Sequence, residues 1–230
     1  AFEHGVDIHK QTAAMIYGVE MEEVTEEQRS WGKRANHGLN YDLGYKSFAL
    51  YYQIPEAEAQ FLVERYHSIY PGVRQWHSQI QHELGRTRTL VNLFGRRRVF
   101  MDRWGHDLFK EAYSFIPQST VAEMMNQWGF RYIYEEQDLF QQVELLNTVH
   151  DSVIFQVPLV AGFHYMAEVV LAIKENLEQA LTVNGMTFHV PVDTKVGYNL
   201  NEKEMLELKA SKLKDVGADE LSTILQEWEE

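Results

Sequence analysis

The stretch Val143 to Val157, VELLNTVHDSVIFQV, contains two short runs of β-branched and apolar residues around the polar triplet HDS. The runs are Val143–Val149 and Val153–Val157. This pattern predicts two antiparallel strands joined by a tight turn, with the carboxylate of Asp151 at its apex. A carboxylate on such a rigid support is a candidate ligand for a hard divalent cation such as magnesium. The alternative is an ordinary hairpin in which the aspartate side chain only makes a hydrogen bond to the backbone of its own turn.

The composition limits the class of protein. Hydrophobic residues make up 45% of the 230 residues, which supports a folded core in one large domain or two small ones. The sequence has no cysteine, so disulfides, thiolate zinc sites and a cysteine nucleophile are excluded. It has no apolar run of transmembrane length, and its first residues, AFEHGVDIHK, lack the pattern of a signal peptide. We therefore expect no membrane partner and a cytoplasmic location.

The charge is unevenly distributed. The formal net charge of −13 by itself weighs against a nucleic-acid ligand, because phosphate affinity comes from lysine and arginine. The basic residues are concentrated, however, in two groups. These are Arg29, Lys33 and Arg34, and then Arg86, Arg88, Arg96, Arg97, Arg98 and Arg103. Since local fields decide binding at such places, the net charge does not exclude nucleic acid.

A helix predicted from Glu26 to about Leu43 carries the second informative pattern. Along it Arg29, Lys33, His37 and Tyr41 follow one another at intervals of four residues. Each step drifts by only about 40° around the helix axis, so all four are expected on one face. The cations suit a triphosphate, and the rings suit a sugar and a base. The alternative is a solvated basic face with two aromatic rings turned to the core. Glycines within the helix suggest close approach by another chain or a ligand.

Local signals predict the other elements. Asp7 is placed to cap a helix that runs through Thr12–Val19 and has His9 in its first turn. A capping-box pattern, Thr25 to Gln28, opens the next helix. The remaining expectations are a hairpin at Thr87–Phe100, a helix from Lys110 to about Tyr134 bent near Pro117, a helix at Ala161–Leu181, a strand at Phe188–Val196, and a peripheral amphipathic tail after Asn201.

Several stretches match one family in order. They are DIHKQTA from Asp7, the spaced set Arg29, Lys33, His37 and Tyr41, YHSIYPGV from Tyr66, LFGRR from Leu93, IPQSTVA from Ile116, and VHD from Val149. Over about residues 1–200 the chain resembles the C-terminal part of the family A DNA polymerases, the bacterial DNA polymerase I type, and looks closest to phage members. The resemblance implies an α+β fold, the right-hand polymerase fold in incomplete form. A mostly helical fingers subdomain would span 1–95, an antiparallel palm sheet with packed helices 96–200, and a charged extension 201–230.

The resemblance also implies the chemistry and the site residues. The reaction would be nucleotidyl transfer from a dNTP to the 3′ hydroxyl of a primer, directed by template DNA and assisted by two Mg²⁺ ions. Asp151 and Lys33 would be catalytic, with Asp151 as a metal ligand. His9, Arg29 and Lys33 would hold the phosphates, His37 would lie against the sugar and Tyr41 against the templating base. The residues expected to contact the DNA are His150, Gln118, Lys110, Arg96 and Ser114.

Some positions depart from the family pattern. His37 replaces a Phe or Tyr, Asp42 stands where the motif has Gly, and Ser152 stands where many members carry Glu. Lys110 and Ser114 occupy positions that align with Arg and Asn. These departures favour a divergent, phage-like enzyme that works in the cytoplasm of a host cell.

In the family, the other metal-binding aspartate lies in a strand upstream of the DIH segment. The present sequence begins after that strand. We therefore expect a split polymerase, inactive alone, whose second polypeptide supplies the N-terminal part of the palm, the thumb and in some forms an exonuclease; a fragment of a longer chain is the alternative. Two further functions stay open. One is a phage-type single-subunit RNA polymerase, and the other is a non-catalytic nucleic-acid-binding or regulatory module that retains the fold.

Overall fold

Helices and short antiparallel strand pairs alternate along the structure, a computed structural model that describes residues 6–229. The expected α+β class is confirmed. The described chain divides into two units, residues 6–120 and 121–229, each with its own buried clusters. No helix within this described range is both long and apolar enough to cross a membrane.

The first unit is mainly helical. Its elements are α1 (Ile8–Tyr17), a 3₁₀ turn (Met21–Glu23), α2 (Glu26–Leu39), α3 (Tyr45–Tyr52), α4 (Glu56–Ile69), α5 (Pro71–Thr87), β1 (Thr89–Val91), β2 (Arg97–Val99) and α6 (His106–Met124), which begins here. β1 and β2 pair antiparallel, as expected for the predicted hairpin.

The predicted helix starts are confirmed. The Asp7 carboxylate accepts hydrogen bonds from the backbone N–H groups of His9 and Lys10, each at 3.0 Å, and so caps α1. At the start of α2 the Thr25 hydroxyl accepts from the Gln28 N–H at 3.2 Å, while the Gln28 side chain accepts from the Thr25 N–H at 3.0 Å. Both arrangements satisfy backbone donors that have no partner within the helix.

α1 and α2 touch backbone to backbone at Gly32. A Cβ atom at this position would lie less than 3.0 Å from the His9 carbonyl oxygen, closer than real Cβ atoms approach, and 3.0 Å from the Ala13 nitrogen. The close approach that the sequence suggested is thus made by α1 of the same chain. It brings the side chains that precede and follow Gly32 on α2 against the start of α1.

α2 ends earlier than expected, at Leu39, so the prediction that Tyr41 continues the helical ladder was wrong. The Leu43 N–H donates to the Gly38 carbonyl at 3.1 Å and the Asp42 N–H to the Leu39 carbonyl at 3.2 Å. This is the bond pattern of a Schellman motif, with Asp42 in the left-handed conformation at φ 62°. Aspartate tolerates that conformation better than most residues, which is why no glycine marks this helix end.

Side chains from α4 and α5 hold the end of α2 in place. The Tyr66 hydroxyl donates to Asn40 Oδ1 at 2.9 Å, and His77 Nε2 donates to the Asn40 carbonyl at 2.7 Å. Arg74 forms an ion pair with Asp42. Tyr41 lies between these contacts and packs, half-buried, against the second apolar cluster of this unit.

The second unit combines short helices with three strand pairs. After α6 its elements are a π-helical segment (Met125–Phe130), α7 (Arg131–Glu135), α8 (Gln137–Phe140), β3 (Glu144–Val149), β4 (Ser152–Gln156), a 3₁₀ turn (Leu159–Ala161), α9 (Phe163–Leu177), β5 (Leu181–Val183), β6 (Met186–Phe188), β7 (Thr194–Val196), β8 (Leu206–Leu208) and α10 (Ala218–Glu229). The pairs β3–β4, β5–β6 and β7–β8 are all antiparallel. The hairpin predicted for Val143 to Val157 is confirmed by the β3–β4 pair.

Two boundaries differ from expectation. The helix predicted to be broken or bent near Pro117 is not broken there: it continues through this proline to Met124, and a π-helical segment follows. There a Cβ on Gly129 would lie 2.8 Å from Val153 of β4, so the segment packs tightly. The strand predicted at 188–196 is divided between β6 and β7, around Pro191, which has no N–H for a strand ladder.

The segment after residue 201 is not a peripheral tail, and that expectation was wrong. α10 packs against α9, and Leu221 and Leu225 are almost fully buried in the cluster that the two helices share. β8 pairs with β7 and buries Leu208 in the same cluster. The acidic residues hid this role in the sequence, although they lie on the solvent side of an amphipathic helix.

We predict that Gly32→Ala lowers the free energy of unfolding by about 1–3 kcal/mol or more, because α1 and α2 must separate to admit the methyl group. Gly72→Ala is the matched control, since a Cβ there meets no atom within 4 Å and alanine favours the helix. Urea denaturation followed by circular dichroism measures both. Equal stabilities for the two variants would contradict the backbone contact.

Candidate functional site

The crossing of α1 and α2 creates a face that carries all three predicted phosphate-binding residues, His9, Arg29 and Lys33. Arg29 lies beside the start of α1, where its Nε donates to Asp7 Oδ2 at 2.6 Å. That contact uses one N–H, and the other N–H groups of the guanidinium lie outside it. Lys33, one turn further along α2, is exposed. We call the surface formed by His9, Arg29, Lys33 and His37 the cationic face.

His9 lies at the centre of this face. Its Nδ1 is 3.1 Å from Asn36 Nδ2, and its ring centroid is 6.0 Å from that of His37, with 31° between the planes. His9 is half-buried, whereas His37 is exposed. The structure therefore brings together His9, Arg29, Lys33 and His37, as the spacing and the resemblance implied, and leaves Tyr41 beyond the end of the helix.

The electrostatics of the face follow from these contacts. Burial raises the pKa of the Asp7 carboxyl, but hydrogen bonds from the Lys10 amide and from Arg29 outweigh it, so the pKa lies below its usual value. The pKa of His9 is also lowered, first by burial and then by the nearby positive charge of Arg29 and Lys33 and by His37; Asp7 opposes this change. Near neutral pH the face thus combines an ionised Asp7, the arginine and lysine cations and a His9 ring that favours the neutral form.

A second set of predicted residues lies on α6. Lys110, Ser114 and Gln118 are spaced four residues apart and fall on one face of this helix. Lys110 and Ser114 are half-buried and Gln118 is exposed. The Ser114 hydroxyl donates to the Glu111 carbonyl at 3.0 Å, so it is partly engaged within the helix.

The β1–β2 hairpin is tied to this helix next to Gln118. Asn92 is buried in the turn, where its Oδ1 accepts from the Arg96 N–H at 2.9 Å and its Nδ2 donates to the Ser119 hydroxyl at 3.0 Å. Arg98 of β2 forms an ion pair with Glu111 of α6. The backbone of the predicted DNA contact Arg96 is therefore fixed relative to α6, while its side chain is exposed.

His150 and Asp151 form the two-residue turn between β3 and β4, in the second unit. Val149 and Ser152 face each other as the last strand pair, and the Ser152 hydroxyl donates to the Val149 carbonyl at 2.8 Å. His150 adopts φ 54°, a left-handed conformation that histidine tolerates better than most side chains. Both turn residues are exposed, so the Asp151 carboxylate is presented to solvent at the tip of a hairpin.

The Asp151 carboxylate is chemically suited to magnesium as one member of a ligand set. Mg²⁺ is usually held by one or two carboxylates together with water and substrate phosphates, so a single exposed aspartate is a suitable protein ligand. Among residues 6–229 no group of three or more histidine, cysteine or acidic side chains is arranged to hold a metal ion. Asp151 is therefore suited to supply one ligand of such a site, not a complete ligand set.

Sequence reasoning missed three contacts that organise these sites. Asn36 bonds to His9, Asp7 bonds to Arg29 as well as capping α1, and Asn92 fixes the turn before Arg96. One signal was available, because Asn36 lies seven residues after Arg29 and therefore on the same face of α2.

Comparison with known proteins defines the class. The fold resembles that of a polymerase domain: the POL domain of Pol1 from M. smegmatis, solved in complex with DNA primer-template and dNTP, matches with a TM-score of 0.68 and 23% identity over 77% of this chain and 32% of that chain. The family model described as DNA polymerase family A matches residues 1–204. The chain belongs to DNA polymerase family A.

Individual relatives agree with this assignment. DNA polymerase I of Aquifex aeolicus (strain VF5) is 27% identical over 211 residues, which cover 88% of this chain and 34% of the relative. The thermostable DNA polymerase I of Thermus caldophilus is 30% identical over 203 residues, or 85% of this chain and 23% of the relative. The chain thus spans about a third or less of these relatives.

We predict that the two roles of Asp7 are separable. Asp7→Ala removes both the helix cap and the ion pair and should lower the free energy of unfolding by about 1 kcal/mol or more. Asp7→Asn keeps a capping oxygen and should lose only the partly exposed, solvent-screened ion pair, about 0.2–1 kcal/mol. Because the pKa of Asp7 is lowered on folding, its ionic contribution is present above the usual aspartate pKa and is lost as the pH falls through the folded-state pKa. Urea denaturation at neutral and acidic pH measures these differences, and equal losses for both variants at neutral pH would contradict the capping role.

Proposed function

We propose that this chain is the fingers and part of the palm of a template-directed DNA polymerase. The reaction is nucleotidyl transfer from a dNTP to the 3′ hydroxyl of a primer. The observation that carries the proposal is the cationic face, because a member of DNA polymerase family A presents Arg29, Lys33 and His9 together on two crossing helices. The family assignment also supports DNA synthesis over the alternative of an RNA polymerase.

The cationic face suits the triphosphate of the incoming nucleotide. The free N–H groups of Arg29 and the ammonium of Lys33 supply charge-assisted hydrogen bonds to phosphate oxygens. His9 adds a further polar group to this face, and His37, whose ring lies 6.0 Å from that of His9, is proposed to meet the sugar. Charge neutralisation and positioning are the main requirements of phosphoryl transfer, so these side chains act on the leaving pyrophosphate without forming covalent bonds to it.

Asp151 is proposed as a metal ligand and His150 as a contact to the primer terminus. In a two-metal site, two divalent ions activate the attacking hydroxyl and stabilise the leaving oxygen. Asp151 holds its carboxylate at the tip of a paired hairpin, and His150 beside it has the positive φ that a two-residue turn requires. We propose Mg²⁺ because carboxylate and phosphate oxygens are its preferred ligands.

A site for two ions requires at least one further carboxylate. We propose that this carboxylate comes from the N-terminal part of the palm, which the resemblance to family A polymerases places before the DIHKQTA segment. A second polypeptide with the N-terminal part of the palm and the thumb, with or without an exonuclease, is one source, and a longer form of this chain is the other. The mass of the native complex separates them, because only the first shows two different polypeptides.

The DNA duplex is proposed to lie along α6 and the β1–β2 hairpin. Lys110, Ser114 and Gln118 present one helix face, and Arg96 follows a turn that Asn92 anchors next to it. Lysine and arginine would contact phosphates and the uncharged side chains would position the strand. The high density of arginine here compensates locally for the net charge of −13.

The subdomain assignment, the location and the phage origin remain predictions. Residues 1–95 as fingers and 96–200 as palm is a functional division, whereas the two compact units divide between Thr120 and Val121. The host cytoplasm is the predicted place of action.

We predict that primer extension by the assembled enzyme is abolished by Asp151→Ala and slowed about a hundredfold by Lys33→Ala, because each removes a group that stabilises charge in the transition state. DNA binding should change little in the Asp151 variant. Single-turnover extension with dNTPs and NTPs measures rate and sugar preference, and fluorescence anisotropy measures DNA binding. The 230-residue chain alone should extend no primer.

The controls are Asp138→Ala and Lys46→Ala, which remove exposed charges from residues that have no proposed role in the site. Full activity of Asp151→Ala would refute the metal assignment. DNA binding without extension in the complete complex would instead indicate a non-catalytic binding module, and efficient incorporation of ribonucleotides would indicate an RNA polymerase.

A further inference from the structure

A buried hydrogen-bond network lies behind His9. The Thr12 side chain is only 1% exposed, and its hydroxyl donates to the Ile8 carbonyl at 2.8 Å. The same hydroxyl shares a hydrogen bond with the Tyr70 hydroxyl at 3.0 Å and lies 3.1 Å from Asn36 Nδ2. Asn36 therefore connects this network, on the inner side of α1, to the ring of His9 on the cationic face.

The orientation of the Asn36 amide follows from its neighbours. Nδ2 is 3.4 Å from the Ile8 carbonyl oxygen, which only accepts hydrogen bonds, and 3.1 Å from the Thr12 hydroxyl oxygen, whose single proton is already donated to that carbonyl. The opposite orientation would set two acceptor oxygens against each other. Nδ2 is thus the atom that faces His9 Nδ1 at 3.1 Å, and since an amide nitrogen only donates, Nδ1 must accept.

We propose that Asn36 is a positioning residue that sets the tautomer of His9. With Nδ1 accepting from Asn36, the single proton of the neutral ring is on Nε2, where it serves as a hydrogen-bond donor to a phosphate oxygen. This inference rests on the proposed function only for the identity of that acceptor. The tautomer itself depends on the network of Thr12, Tyr70 and Asn36.

The charged surroundings support a neutral donor. The titratable and charged groups that face His9 are Asp7, Arg29, Lys33 and His37, and Tyr70 lies behind the network. Burial and the two cations lower the pKa of His9, while Asp7 partly opposes them. A ring that stays neutral donates one directed hydrogen bond and adds no charge, so the two cations neutralise the phosphates and His9 orients them.

The test is long-range ¹H–¹⁵N correlation NMR of the full 230-residue chain labelled with ¹⁵N-histidine. The His9 signals are assigned by their loss in His9→Gln. We expect the wild-type ring to show the pattern of a neutral imidazole protonated on Nε2. A neutral ring protonated on Nδ1 would overturn the proposal, and the tautomer itself is read from the wild-type chain.

Asn36→Asp supplies the second measurement. A carboxylate can only accept, so it should move the proton to Nδ1 and raise the pKa of His9 by about one pH unit or more. At a pH above this raised pKa the neutral ring carries its proton on Nδ1, so Nε2 no longer donates and Mg–dNTP binding should weaken by roughly tenfold. Gln28→Glu is the matched control, since it adds the same charge to α2 and retains the capping box. An unchanged tautomer and pKa in Asn36→Asp would also overturn the proposal.

The two proposals fail differently. If the wild-type chain shows the expected tautomer, and Asn36→Asp changes it, the assignment of Asn36 is supported whether or not nucleotide binds. If the wild-type chain shows no affinity for Mg–dNTP, the proposed function of the cationic face fails.

Discussion

The backbone contact between α1 and α2 at Gly32 is the constraint on which the cationic face depends. Two helices that cross without an intervening side chain place the start of one directly against the side of the other. Arg29 consequently reaches Asp7 on one side of the crossing, and Asn36 reaches His9 on the other. A larger residue at the crossing would separate these pairs, and the periodic pattern of α2 alone would no longer form a site.

The same geometry explains how an acidic protein can present a surface for phosphates. The net charge of −13 reflects acidic residues along the chain, many of them on exposed helix faces such as that of α10. The cationic face depends instead on the local field of Arg29 and Lys33, which the carboxylate of Asp7 partly compensates. Because salt limits the distance over which surface charges interact to roughly 10 Å, distant acidic residues affect such a face little.

The sequence predicted the features that depend on local chemistry. The caps formed by Asp7 and Thr25, the β3–β4 hairpin and the face shared by Arg29, Lys33 and His37 follow from spacing and residue type. The end of α2 did not follow, because Asp42 adopts the left-handed conformation that glycine usually marks. The bond between Asn36 and His9 could not be derived either, since it depends on how two helices cross.

Tertiary packing also decided the role of the last residues. The family match ends at residue 204, yet Leu208, Leu221 and Leu225 beyond it are buried against α9. A charged composition therefore concealed a structural extension, because burial requires only one apolar stripe on a helix. The place of Asp151 at the tip of the hairpin was predicted correctly, because a two-residue turn leaves little freedom in where its residues lie.

The central claim is that α1 and α2 together form a binding face for a nucleoside triphosphate. Titration of the full chain with Mg–dATP, followed through backbone amide NMR shifts, tests it most directly. The account predicts saturable shifts that are largest at His9, Arg29 and Lys33, on both helices at once. Saturable shifts confined to other elements, or the absence of any saturable shift, would contradict it.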